Sequence, residues 1–149
     1  MPDGSPPVVA ALYAGDISPR EAWDLLVAEP TAQLIDVRSE AEWNFVGLPD
    51  LTSLNRTAHK VQWQHWPTSA LNDGFVGEVR RIPVITAETP LVLLCRSGVR
   101  SLAAAKKLTE KGYARVYNIA GGFEGPLDPG KHRGSLAGWK VEGLPWTQA

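Results

Sequence analysis

The chain has a single cysteine and a single methionine among its 149 residues. One cysteine excludes an internal disulfide. It also removes most zinc sites, because only His59, His65 and His132 are left to add ligands and none stands at metal-ligand spacing. An excess of charge of one sign is missing too: 15 Lys and Arg oppose 16 Asp and Glu, for a net charge of −1. No overall field therefore draws the protein onto nucleic acid or a membrane surface. No apolar run approaches the length of a transmembrane helix. Met1 to Ala10 hold prolines, a glycine and an aspartate, without the basic start and apolar centre of a signal peptide. Repeats and low-complexity segments are absent. What remains, 44% apolar and 21% charged, is the composition of a soluble globular protein. The length suits one domain with a sizeable core. A reduced cytoplasm is the default compartment, and it suits a working thiol.

The lone cysteine stands where chemistry is easiest to build. The apolar run Leu91-Val92-Leu93-Leu94 reads as a buried strand and stops at Cys95. A short loop follows, with Gly98 inside it and Arg96 and Arg100 beside it, and Ser101 to Leu108 reads as a helix. On such a turn, loop N–H groups and the first helical turn converge on one point and accumulate partial positive charge. Two guanidiniums add full charges. These surroundings favour the thiolate, the nucleophilic form of cysteine. A cysteine that merely fills space does not explain two arginines and a glycine crowded beside it.

Cys95-Arg96-Ser97-Gly98-Val99-Arg100-Ser101 resembles the active-site loop of the rhodanese family of sulfurtransferases. Three further segments agree and occur in the family's order: Leu34-Ile35-Asp36-Val37-Arg38 with Glu42-Trp43, Val116 to Gly122, and Gly138-Trp139 with Gly143-Leu144-Pro145. One segment departs: Asn44-Phe45-Val46-Gly47-Leu48-Pro49 stands where many members carry Gly-His-Ile. Loop size separates two chemistries. Cysteine-dependent phosphatases need Cys-x5-Arg, with the arginine clamping phosphate bidentately. Here Arg100 follows Cys95 with only four residues between them, a ring that suits one extra sulfur atom.

The resemblance implies an α/β fold, a single rhodanese-like domain over residues 1–149 with its core at about 18–145, built on a mostly parallel five-stranded sheet flanked by helices. It implies Cys95 as nucleophile, with the loop residues Arg96, Ser97, Gly98, Val99 and Arg100 holding substrate and persulfide. Asp36, Arg38, Glu42 and Ser101 are expected behind that loop as supports. The implied reaction takes a sulfane sulfur from a donor such as thiosulfate to cyanide or a thiol through a Cys95 persulfide. No cofactor and no metal are implied. The expected partners are those small molecules and a possible protein sulfur acceptor, not nucleic acid or membrane. A sulfur-relay or persulfide-binding module is the second reading, and a phosphatase or arsenate reductase the third.

Elsewhere, Ser18-Pro19-Arg20-Glu21 is a capping box that predicts a helix ending at Pro30, with Ala22, Leu25 and Leu26 inward. Trp23 reads as core. Gln33 to Val37 reads as a strand, and Ser39 to Glu42 as a second capped helix start. Leu51 to Asn55 is expected as a strand of the same sheet and Val61 to Trp63 as an edge strand. Trp43, Trp63 and Trp66 fall in a polar neighbourhood, as core or as walls near the site. Asn72-Asp73 predicts a helix through Gly74 to Arg81, with Phe75, Val76 and Val79 inward. Leu102, Ala105 and Leu108 mark the buried side of the helix after Cys95, and Gly112 its end. Arg115 to Ile119 reads as a strand, Phe123 to Arg133 as a surface excursion, and Ser135 to Val141 as a short helix. Val8 to Leu12 forms an apolar patch in an otherwise patternless leading segment.

Overall fold

The computed structural model describes residues 12–148. Val8 to Ala11 of the apolar patch lie outside the described residues, and Leu12 is exposed. The run after Pro90 forms strand β5 (Leu91–Leu94), with all four side chains buried. Alternation sends them to opposite faces. Leu91 and Leu93 join Ile35, Phe75, Val79, Ala105 and Leu108 in one core cluster. Val92 and Leu94 join Leu26, Leu34, Phe123 and Trp139 in the other. A strand buried on both faces belongs at the centre of a parallel sheet covered on each side.

That sheet has five strands: β1 (Gly15–Ile17), β2 (Gln33–Asp36), β4 (His59–Lys60), β5 and β6 (Val116–Ile119). Their spatial order is β1-β6-β5-β2-β4, and every neighbouring pair is parallel. Registers Asp36↔Leu94 and Leu93↔Asn118 align the carboxyl ends of β2, β5 and β6 at one edge. In open α/β sheets that edge is where sites form.

Helices α1 (Pro19–Ala28) and α2 (Glu40–Phe45) both begin with complete capping boxes, Ser18 with Glu21 and Ser39 with Glu42. Such caps satisfy N–H groups that a helix start leaves without partners. Helix α1 buries Pro19, Ala22 and Leu26, while Trp23 packs edge-on against buried Trp139 at 6.0 Å. Helix α3 (Phe75–Arg80) turns Phe75 and Val79 inward after the Asn72 side chain accepts from the Gly74 N–H at 3.0 Å. Helix α4 (Val99–Glu110) follows the cysteine loop, and Gly112 beyond it adopts a φ of +105°.

Five expectations change. Leu51 to Asn55 is not a strand but a tight turn at Thr52–Leu54. The Asp50 carboxylate accepts from the Thr52 N–H at 3.0 Å and its hydroxyl at 2.7 Å, and Asn55 takes φ +57°; this local capping outweighs strand propensity. The edge strand is β4, two residues before Val61–Trp63, whose N–H groups still reach the Asp36 and Val37 carbonyls at 3.1 Å. Ser135 to Val141 makes turns rather than a helix, because Gly138 has φ +113° and lies where a Cβ would meet Gly125 N and Phe123 O at 3.0 Å. Phe123 is wholly buried, so the excursion starts in the core. On α4, Ala104 takes the buried place expected of Leu102, which is half-buried. Three strands lie outside these expectations: β1, in the leading segment, and the antiparallel pair β3 (Leu48–Pro49) and β7 (Trp146–Thr147).

Candidate active site

Cys95 is the first residue beyond β5, and four residues later α4 is under way. Gly98 makes the turn possible with φ +107°, a conformation open to glycine at little cost. The sulfur is folded under the loop, with 1% of the residue exposed. It accepts from the Gly98 N–H at 3.1 Å and the Ser101 N–H at 3.3 Å, and the Ser101 Oγ lies 3.1 Å away.

The turn after β6 clamps the loop from behind. Phe123 N–H donates to the Cys95 carbonyl at 2.8 Å, and the N–H groups of Glu124 and Gly125 both donate to the Arg96 carbonyl at 3.0 Å. Close approach needs Gly122: its φ is +59°, and a Cβ there would sit 2.4 Å from the Cys95 carbonyl oxygen. Two glycine positions, Gly98 and Gly122, thus hold the sulfur's backbone in place from either side.

The charged side chains pair among themselves. Arg100 donates bidentately to Glu42, at 2.7 and 2.8 Å, across 58 positions of sequence. The same carboxylate accepts from the Ser39 N–H and hydroxyl. Burial pushes the Glu42 carboxyl up, but the Arg100 hydrogen bonds and charge, with those of Ser39, outweigh it and hold it at about 2. Burial lowers Arg100 as well, and the Glu42 contacts raise it further than that, so the guanidinium is firmly charged. Deeper, wholly buried Arg38 donates to Asp36 at 2.9 and 2.7 Å and to the Gly47 carbonyl at 2.7 Å. Its guanidinium lies 4.4 Å from the centre of the Phe123 ring. Arg96 is exposed and forms no ion pair among the described residues. It lines a cleft at the mouth of the loop with Glu42, His65, Trp66, Ser69 and Arg100.

The structure therefore brings Cys95, Arg96, Ser97, Gly98, Val99 and Arg100 into one loop. It assembles Asp36 with Arg38, and Glu42 with Arg100, around that loop. Ser101, expected behind it, touches the sulfur through both its N–H and its hydroxyl. The donors to sulfur are Gly98 and Ser101 alone; the N–H groups of Arg96, Ser97, Val99 and Arg100 make no hydrogen bond to it. Of the three tryptophans, Trp63 packs edge-on against Phe75 at 5.1 Å, Trp43 is half-buried, and only Trp66 lines the mouth, 59% exposed. Sequence reasoning passed over Asn118, whose buried side chain bonds Ser101. The available signal was an amide inside the apolar strand run Val116 to Ile119.

A five-stranded parallel α/β domain that presents one cysteine at a strand end, facing the N–H groups of Gly98 and Ser101, defines a class of thiol proteins. Within that class the chain belongs to the rhodanese-like sulfurtransferase family. A family model described as the STR4 middle domain matches residues 14–149. A protein of Rickettsia conorii, named only as uncharacterized, is 36% identical over 131 residues, covering 88% of this chain and 95% of its own. The thiosulfate sulfurtransferase GlpE of Actinobacillus pleuropneumoniae is 28% identical over 130 residues, covering 87% and 90%. The crystal structure of Rv0390 from M. tuberculosis superposes with a TM-score of 0.85 at 50% identity, covering 92% of this chain and 99% of that one. The fold is shared at 24% identity with the polysulfide-sulfur transferase homodimer of Wolinella succinogenes, TM-score 0.60, covering 95% and 84%.

Proposed function

We propose that the protein transfers a sulfane sulfur from a donor such as thiosulfate to cyanide or a thiol, with Cys95 as the nucleophile. The observation that carries this reading is the seat of the Cys95 sulfur, facing the N–H groups of Gly98 and Ser101 at a helix start. The thiolate attacks the outer sulfur of thiosulfate; a new S–S bond forms, the donor's S–S bond breaks, and sulfite leaves with its electron pair. The Cys95 persulfide anion remains, its charge met by loop donors as in an oxyanion hole. Cyanide then attacks the outer sulfur, thiocyanate departs, and the thiolate is restored. This is double-displacement covalent catalysis.

Arg100 supports sulfur over phosphate. A phosphatase arginine has to offer its fork to the substrate, whereas both arms of Arg100 are taken by Glu42. Arg100 braces the loop, and Arg96 is the cation that meets an anionic donor at the mouth. The test is intact mass after incubation with thiosulfate and removal of excess reagent. One added sulfur, about 32 Da, is expected on the single thiol, and cyanide should remove it. A mass unchanged by thiosulfate refutes the reading.

A further inference from the structure

Asn118 lies near the carboxyl end of β6 with 3% of its surface exposed, and both ends of its amide are engaged. Its Nδ2 donates to the Asp16 carboxylate at 3.0 Å and to the Gly98 carbonyl at 3.3 Å. Both partners are acceptors only, so this end of the amide is the NH2. Asp16, exposed on edge strand β1, also accepts from the Tyr13 hydroxyl at 3.0 Å. The other end of the amide, Oδ1, faces the wholly buried Ser101 hydroxyl at 2.5 Å. An amide oxygen has no hydrogen to give, so Ser101 donates. A serine hydroxyl carries one hydrogen. With that hydrogen committed, Ser101 meets the Cys95 sulfur, 3.1 Å away, with a lone pair.

We infer that Asn118, oriented by Asp16, is a positioning residue that keeps the Ser101 hydroxyl from donating to Cys95. The inference rests on the sulfur chemistry proposed for Cys95. Whenever the sulfur carries a hydrogen, the thiol donates it to Ser101, and the polar chain runs one way, from Cys95 through Ser101 and Asn118 to Asp16. When the sulfur carries charge, it has two backbone donors rather than two and a hydroxyl. A sulfur anion with fewer donors is the stronger nucleophile. One charge-assisted hydrogen bond is about tenfold in an ionisation equilibrium. A Brønsted coefficient of about 0.4–0.5 converts this to about threefold in attack rate. Asn118 thus sets the reactivity of the sulfur without touching it.

The single cysteine makes the test direct, because the S–H stretching band of the infrared spectrum reports on this site alone. In the parent protein the band should lie at the low wavenumber of a hydrogen-bonded thiol, and Ser101→Ala should raise it. Asn118→Ala releases the hydroxyl to turn onto sulfur, so the band should rise there too. Alkylation by iodoacetamide, measured on the alkaline plateau where all the sulfur is ionised, should slow about threefold in Asn118→Ala. It should not slow in Ser101→Ala, which gains no donor. A merely structural role for Asn118 does not produce that contrast. An Asn118→Ala band at the parent position, or an unchanged plateau rate, overturns the inference. If Asn118→Ala does not fold, Asp16→Ala on the exposed edge decides: two bands or one broadened band support the orientation, and one sharp band at the parent position refutes it. Neither measurement uses a sulfur donor, so failure here is distinct from failure to form a persulfide.

Discussion

Replacing Glu42 by glutamine keeps the shape of the side chain and removes its charge. The substitution leaves Arg100 facing a neutral amide, with one of two short hydrogen bonds turned into a donor–donor clash or lost. Deleting one partner of a buried ion pair usually costs about 3–5 kcal/mol. Here the Arg100 side chain is 22% exposed and Glu42 16%, so solvent recovers part of the loss. About 2 kcal/mol at neutral pH is the expected penalty. Its pH dependence is the sharper test. The folded-state pKa of Glu42, about 2, lies below the ordinary value of 4.5. A depressed carboxylate adds stability that is fully present above the unfolded value and lost as pH falls through the folded one. The gap between parent and Glu42→Gln should therefore be constant from neutrality down to about pH 5.5, shrink below about pH 4.5, and be more than half gone by about pH 3. Urea unfolding followed by tryptophan fluorescence across that range measures it, since common acid effects cancel in the difference. A gap that stays the same down to pH 3 would show that the pair is not what stabilises this end of the fold.

Three further outcomes follow from the same geometry. Cys95→Ser should keep the fold and lose sulfur transfer, because a serine hydroxyl is hardly ionised at neutral pH and forms no persulfide; thiosulfate:cyanide activity retained in that variant rules out Cys95 as nucleophile. Gly122→Ala places a Cβ 2.4 Å from the Cys95 carbonyl at a φ of +59°. Backbone has to move, at a cost of about 2–4 kcal/mol, and the melting temperature and the persulfide yield should fall together; a variant as stable as the parent contradicts the clamp. Arg96→Glu should raise KM for thiosulfate by about tenfold or more, with a smaller effect on kcat, through loss of attraction at the mouth. If KM does not change, the donor is steered by something else.

Much of this protein is legible along the chain because its causes are local. The run Leu91–Leu94 declares a central strand, two Ser-x-x-Glu boxes place two helix starts, and Cys95 with Gly98 and two arginines marks the site. Each signal spans no more than a few residues, within reach of capping, periodicity and turn chemistry. Where local signals compete, propensity alone does not decide: Asp50 and Asn55 turn a strand-like Leu-Thr-Ser-Leu into a turn. Backbone contact does the same at Gly138, undoing a plausible helix.

The electrostatics of the site were decided elsewhere. Two arginines beside a cysteine read as two charges on the sulfur, but Glu42 arrives from α2 and takes one of them. Nothing near Arg100 in sequence announces that pairing, since ion pairs follow distance through space. Likewise Asn118 meets both Ser101 and Asp16 only because β6 lies between β5 and β1 in the sheet. The sequence by itself determined which sulfur sits at a strand end. Tertiary structure alone decided which groups face it, because a hydrogen bond's direction depends on every partner that competes for the same proton.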